Sequence, residues 1–378
     1  MSTQIVRVDV AAAPDSVPIR SDVANVLVVI TAERKPIGLR RVPRPVDGVL
    51  RLKALIADAG RTDHAEPARD RAKGPRISIV IPTHERPADL RRCLEALTSA
   101  RRDGHEVIVV DNFPQSRRTE SVAIAFGVGY IVERTPGLNR ARNAGVCAAT
   151  NDIVAFVDDD VVVSDGWTAS IADRFADPTV ACATGLVLPI ELETAAQEQF
   201  EDYCVQRRDF HPHVYSRDVL PASAAAVVGM GANMAFRRSV LVRLGLFDTR
   251  IGAGTSTRAA DETDMFARVI DAGWRIVYTP DAYVWHRHRR TAREVRSCVF
   301  GYGVGIYSLL TKRLLEHGDV GAIVTAGRWF LGPLVKAVRA KAAGTPSAPW
   351  SVVLAELAGA PIGPFCWMYE AWRARARA

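Results

Sequence analysis

The stretch Ile153-Val154-Ala155-Phe156-Val157-Asp158-Asp159-Asp160 decides the reading of this 378-residue chain. Its first five residues are apolar without alternation, as expected of a strand buried on both faces of a parallel sheet. Three carboxylates follow at once. In an open parallel sheet, ligands bind outside the carboxyl ends of the strands. Adjacent carboxylates there repel one another unless a cation is present. In an extended or turning backbone the first and third point the same way. Asp158 and Asp160 are therefore read as sharing a hard divalent cation, which takes oxygen ligands of this kind. The plainer reading, a solvated turn with helix-capping Asp, accounts less well for three in a row.

Outward from this stretch the pattern repeats. ISIVI (77–81), EVIVV (106–110) and YIV (130–132) are further β-branched runs. Between the first two, Leu90, Cys93, Leu94 and Leu97 recur at helical spacing. Asn139 to Ala149 reads as another helix. Strands alternating with helices predict an α/β fold, a mixed and mostly parallel sheet flanked by helices. Polar residues cluster where runs end: Pro82-Thr83-His84-Glu85-Arg86 after the first, Asp111 in VVDN after the second. Arg140 falls in a first helical turn, where the dipole does not favour a cation and a nearby anion would explain it. Asp261-Glu262-Thr263-Asp264 opens a helix with more carboxylates than capping needs, and one of them is a candidate general base. Tyr283-Val284-Trp285-His286 is a short strand ending in His, with nothing in the spacing that joins it to the Asp cluster.

In this order, IVIPTHER, VVDN, PGLNRARNAG, AFVDDD, GANMAFRR, ADETDMF and YVWH resemble the family 2 glycosyltransferases, which have the GT-A nucleotide-diphospho-sugar transferase fold. The resemblance covers about residues 76–290. It implies an inverting enzyme that moves a sugar from a nucleotide-diphospho-sugar to an acceptor hydroxyl with Mn²⁺ or Mg²⁺. Pro82, Thr83 and Glu85 would line the nucleoside pocket with Arg86 nearby, and Asp111 would contact the base. Arg140 and Asn143 would sit near the ribose or diphosphate. Asp158 and Asp160 match the ends of the family's DxD motif, with Asp159 between them also reaching the nucleotide-sugar. His286 matches a later His that joins the metal or the diphosphate, and Gly231-Ala232-Asn233 the loop beside the donor sugar. One departure stands out. The family's Glu-Asp pair is reversed to Asp261-Glu262: position favours Glu262 as base, residue type Asp261, and we favour Glu262. Acceptor contacts are expected from the loops 200–223 and 252–257.

Composition bounds the rest. The net charge is +7. From Arg287 onward there are 14 Lys/Arg against 5 Asp/Glu, so the preceding residues are close to neutral. A nucleic-acid-binding core is thereby disfavoured. Residues 1–74 read as a β-rich extension with a polar linker, 75–290 as the transferase domain, and 291–378 as a helical basic tail. That tail is read either as packed amphipathic helices or as helices in a membrane interface, basic face toward anionic lipid. Six scattered cysteines give neither a disulfide framework nor a zinc site. The opening MSTQIVRVDV lacks a leader pattern, so the expected location is the cytoplasm, with the tail available to the membrane's cytoplasmic face. Absence of GxxxxGK[ST] disfavours a Walker-type nucleotidase, and GYGVGIY (301–307) reads as helix-packing or loop glycines. The rival readings are a nucleotidyltransferase that makes sugar nucleotides and a non-catalytic scaffold on the same fold.

Overall fold

The computed structural model describes residues 2–59, 74–204, 210–343 and 348–376. Most of the polar linker expected within residues 1–74 lies outside the described residues, as does part of the expected acceptor loop 200–223.

The first segment holds β1 (Thr3–Asp9), β2 (Ser16–Pro18), β3 (Asn25–Ala32), β4 (Lys35–Pro43), β5 (Val49–Arg51) and helix α1 (Lys53–Ala59). β3 lies between β1 and β4, parallel to the first and antiparallel to the second. Its apolar run has two faces to satisfy. Val26, Val28 and Ile30 fill the core of this small unit, while Val29 joins the main core of the molecule. The guanidinium of Arg7 lies 3.6 Å from the ring centroid of Trp285, and Thr3 N–H donates to the Leu192 carbonyl at 2.7 Å. The extension is thus a buttress packed on the central domain.

The central domain runs β6 (Ile77–Thr83), α2 (Pro87–Ala96), α3 (Thr98–Arg102), β7 (Glu106–Asn112), α4 (Arg118–Phe126), β8 (Gly129–Glu133), α5 (Leu138–Ala148), β9 (Ile153–Val157) and β10 (Val161–Val163). It continues with α6 (Trp167–Ala172), β11 (Val180–Pro189), α7 (Ala195–Cys204), β12 (His213–Tyr215), β13 (Asn233–Arg237), α8 (Arg238–Arg243), α9 (Asp261–Asp271) and β14 (Arg275–His286). These strands form one nine-stranded sheet, ordered β10-β14-β11-β13-β9-β6-β7-β8, with β12 also paired to β14. Six strands share one direction, and β10, β12 and β13 oppose them. Strands β6 and β9 are buried along their whole length, which is why they show no alternation.

The tail is α10 (Ala292–His317), α11 (Gly321–Ala342), α12 (Trp350–Gly359) and α13 (Gly363–Arg375). α10 starts at a capping box of Thr291 and Glu294. Glycines let helix backbones cross closely: a Cβ at Gly303 would overlap the Glu356 carbonyl, and one at Gly359 the Phe300 carbonyl. The helix-packing reading of the 301–307 glycines thus fits what is seen. Part of the tail's positive charge is spent inside. Buried Lys312 reaches Asp248 at 2.8 Å and Asp264 at 2.5 Å, and buried Arg313 pairs with Asp271 at 2.9 Å. Among the described residues, one stretch, Trp350–Arg375, is long and apolar enough to cross a membrane, but α12 and α13 divide it between residues 359 and 363.

Candidate active site

The end of β9 puts the three Asp residues at the carboxyl edge of the sheet, beside the end of β6. Thr83 donates its hydroxyl to Asp159 Oδ2 at 2.7 Å. Arg86 donates to Asp159 Oδ1 at 3.2 Å and Asp160 Oδ2 at 3.4 Å. β10 then runs antiparallel to β14 with Val161 opposite His286. That ladder supplies the link the spacing lacked, and His286 Nε2 lies 3.2 Å from Asp160 Oδ1. One ligand atom from each of Asp158, Asp160 and His286 falls within 4.8 Å of the others. Asp160 Oδ1 is buried and faces the His286 ring. Two carboxylates and an imidazole converging in this way suit a divalent cation such as Mn²⁺ or Mg²⁺.

The electrostatics agree. Burial, with Asp160 adding, pushes Asp158 up and Asp159 to about 7, against the pull of Arg86 and Thr83 on Asp159. Burial would raise Asp160 too, but His286, Arg289 and Arg86 together hold it below the usual carboxylate range. The His286 imidazole is raised by Asp160 despite its burial. Without a cation, protons and arginines offset the carboxylates, and a dication would displace protons on binding. Behind His286 stand two further buried groups. Its Nδ1 lies 3.5 Å from His288 Nδ1, and His288 Nε2 lies 2.7 Å from Glu201 Oε2 on α7. A carboxylate behind histidine fixes which ring nitrogen carries the proton.

A cavity of about 430 Å³ opens beside the Asp cluster. Pro82, Thr83, His84 and Arg86 line it, with Asn112, Phe113, the N-terminus of α5 and all three Asp residues. The start of α5 turns the positive end of its dipole to this cavity, while the Gly137 N–H donates to Asn112 Oδ1 at 2.9 Å and the Leu138 N–H to the Ala253 carbonyl at 3.0 Å. Not every residue named above reaches it. Glu85 turns away and accepts from Gln115 N, Ser116 N and Ser116 Oγ at 2.7–2.9 Å, tying down the next loop. Asp111 is buried beneath the strand end, where Tyr130 donates to it at 2.9 Å. Arg140 and Asn143 line neither this cavity nor the next. Asn143 instead brackets Phe247, donating to its carbonyl and accepting from its N–H at 2.9 Å.

A second cavity, of about 610 Å³, meets the first at Leu138, Asp158, Ala253 and Arg289. Asp261, Glu262, Gly231 and Ala232 lie in its wall, with His286. Asn233 faces the core instead, accepting from Trp167 Nε1 at 2.9 Å and donating to Ala282 O at 2.8 Å. The reversed acidic pair is divided by its surroundings. Asp261 is ion-paired with buried Arg142. Burial, with Asp261 and Asp158 adding against Arg142, pushes the Glu262 carboxyl up to about 8. Gly231 permits this arrangement, because a Cβ there would meet the Arg142 guanidinium at 2.6 Å.

Arg142, Glu201, His288, Arg289 and Phe113 were not picked out from the sequence. Arg142 had a signal: it follows Leu138 by four residues, on the helix face that meets the site. Glu201 and His288 had none, since only packing of α7 on the end of β14 joins them.

Known proteins resemble parts of this chain. The sequence model of "Glycosyl transferase family 2" matches residues 78–245. The chain is 29% identical over 221 residues to pre-mycofactocin glycosyltransferase of Mycobacterium tuberculosis, covering 58% of this chain and 44% of that protein. It therefore spans less than half of that relative's length. It is 24% identical over 238 residues to O-antigen chain rhamnosyltransferase RfbN of Salmonella typhimurium, covering 61% of this chain and 72% of that one. Among solved structures, mannosyltransferase PcManGT from Pyrobaculum calidifontis, in complex with GDP-Man and Mn²⁺, is similar at 20% identity and a TM-score of 0.48, covering 86% of this chain and 83% of that one. The likeness to the glycosyl transferase family 2 model thus extends over residues 78–245, which include β6 to β9 and the Asp cluster.

Proposed function

We propose that the protein is an inverting glycosyltransferase that moves a sugar from a nucleotide-diphospho-sugar to an acceptor hydroxyl. The observation that carries this reading is the junction of two cavities at Asp158, with a cation-binding set on one side and Asp261-Glu262 on the other. The names of the relatives, both glycosyltransferases, support it.

The smaller cavity takes the nucleotide. The α5 N-terminus and Arg86 face its phosphates, and Phe113 offers a ring to the base. Asp158, Asp160 and His286 would hold the divalent cation, which supplies positive charge against the diphosphate leaving group. The acceptor enters the larger cavity. Glu262 takes the proton from its hydroxyl as that oxygen bonds to the anomeric carbon and the nucleoside diphosphate departs from the opposite face. Asp261 holds Arg142, and thereby the wall beside the sugar, in place. A base with its pKa raised toward the working pH is well matched to this step.

The test is a calorimetric screen of nucleotide-sugars with and without Mn²⁺, followed by assay for slow hydrolysis of any that bind. Cation-dependent binding with release of nucleoside diphosphate is expected. Release of pyrophosphate from a nucleoside triphosphate and a sugar phosphate would establish the nucleotidyltransferase instead. No cation-dependent binding of any nucleotide-sugar would leave a scaffold.

A further inference from the structure

The loop between Ile251 and Asp261 touches both cavities and leads directly into the acidic pair. Ala253 and Gly254 line the smaller cavity, and Arg258, Ala259 and Ala260 the larger. Its backbone is held in costly conformations. Gly252 and Gly254 have positive φ, and so do Arg258 at 66° and Ala260 at 70°. A non-glycine residue stays in the left-handed region only where its surroundings hold it there. Ala260 is the residue that turns the chain into α9, so its conformation sets where Asp261 and Glu262 begin.

The two halves of the loop are held by different parts of the chain. The first half is tied to α5, beside the smaller cavity. Asn139 Nδ2 donates to the Ile251 carbonyl at 3.0 Å, and Leu138 N–H to that of Ala253 at 3.0 Å. Gly254 packs on Gly137, where a Cβ would come within 2.7 Å of the backbone. The second half is tied to the tail. Ser256 N–H donates to Glu370 Oε1 of α13 at 3.0 Å, and Ser256 Oγ to the Cys366 carbonyl at 3.3 Å. Ala259 lies against Gly305 of α10, where a Cβ would approach its backbone to 2.6 Å. The Arg258 guanidinium lies 5.1 Å from the ring centroid of Phe300, also on α10.

Glu370 is the unusual member. It is 7% exposed, on a helix of the C-terminal tail. Carrying a carboxylate into the interior costs free energy unless hydrogen bonds and a counter-charge offset it. Here these are the Ser256 N–H and, at 3.8 Å, Arg373. α13 itself is fixed. Ser308 of α10 donates to the Gly363 carbonyl at 2.9 Å, and the Arg250 guanidinium lies 4.6 Å from the Trp367 ring centroid. The helix is a firm mount from which the carboxylate reaches the loop.

We propose that Glu370 is a positioning residue for the reaction: through Ser256 it holds the second half of the loop, and with it the approach of Glu262 to the acceptor hydroxyl. The catalytic unit then runs past residue 290 into α13. The step from loop to chemistry rests on the function proposed above; the tie between tail and loop does not. Because the first half has its own ties to α5, loss of Glu370 reaches the base and spares the donor.

Two measurements on the full chain test this. The first is hydrogen exchange, read by mass spectrometry over residues 252–260. Glu370→Ala should speed exchange there about ten-fold or more and leave α5 and β9 as in wild type. Glu370→Asp, too short to reach Ser256, should do the same, and stands in if the Ala variant does not fold. Glu370→Gln keeps an acceptor for Ser256 N–H and should stay near wild type. Unchanged exchange in the Ala and Asp variants would overturn the tie. Faster exchange throughout the molecule would mean a residue that only stabilises the fold, and would overturn the positioning role. The second measurement is hydrolysis of the nucleotide-sugar selected by the Mn²⁺ screen, where water takes the acceptor's place. Glu370→Ala should lower kcat about ten-fold or more with donor KM within about two-fold, and Glu370→Gln should keep the wild-type kcat. An unchanged kcat with a loosened loop, or a loss confined to KM, would overturn the positioning role. If the wild type hydrolyses no nucleotide-sugar while the Ala variant still loosens 252–260 alone, the proposed reaction fails and the tie stands.

Discussion

The two cavities are built differently. The smaller one is assembled from the ends of β6, β7 and β9 and the start of α5, almost all within residues 78–245. The larger one shares Asp158 and Arg289 with it, but takes much of its wall from α7, α9, α10 and α11. One is made by strands that are near in sequence order and fixed by sheet register. The other is made by helices whose approach is decided by packing.

The comparison can be broken in order of expected effect. Asp160→Ala removes a ligand from the shared edge, and transfer should fall by about 10³-fold or more, with cation-dependent donor binding lost in calorimetry. Unchanged donor affinity with Mn²⁺ present would end the cation assignment. Next comes the acidic pair. Glu262→Gln should lower kcat by about 10²–10⁴-fold with little change in donor affinity or Tm. Asp261→Asn should act otherwise, because it strips buried Arg142 of its counter-ion, at a cost of about 3–5 kcal/mol in stability. A fully active Glu262→Gln enzyme would return the base role to Asp261. The pH profile bears on the same point. With Glu262 raised to about 8, kcat/KM should climb as pH rises from 6 toward 8, because only the deprotonated base acts. A rate flat over that interval would separate Glu262 from the chemistry.

Two smaller effects sharpen the boundary between the cavities. Glu201→Gln should loosen the cation by about 10–100-fold without unfolding the protein, read by Mn²⁺ titration. Cation affinity equal to wild type would make the Glu201–His288 pair merely structural. Phe113→Ala should raise the donor KM by about ten-fold and leave kcat nearly unchanged, the worth of one ring stacked on a base. An unaffected KM would place the base elsewhere in the smaller cavity.

Sequence reading and structure part company along this same division. The strand-end residues were legible because a strand's end is marked by a change from apolar to polar. Thr83, Arg86 and Asp158–Asp160 could be named in that way. Glu85 and Asp111 were also at strand ends, yet one faces its own loop and the other lies beneath the sheet edge. Side-chain direction in a turn depends on local dihedrals that no pattern displays; Glu85 itself has a positive φ of 53°. On α5 the reading chose Arg140 and Asn143, but the face that meets the site passes through Arg142. The membrane question moved as well. The tail's net charge pointed to lipid, and the structure shows that Lys312 and Arg313 are consumed by internal ion pairs.

The sequence by itself determined the class of fold and singled out the carboxylates proposed as cation ligands, because buried strands and the carboxylates at their ends are local in the chain. It also raised the question posed by the reversed Asp261-Glu262 pair without deciding it. Tertiary structure alone decided that His286 joins Asp158 and Asp160, since β10 must first pair with β14. It separated Asp261 from Glu262, because only folding brings Arg142 beside one of them. It also set Glu370 of the tail against Ser256, since which face of a helix is buried depends on what packs against it.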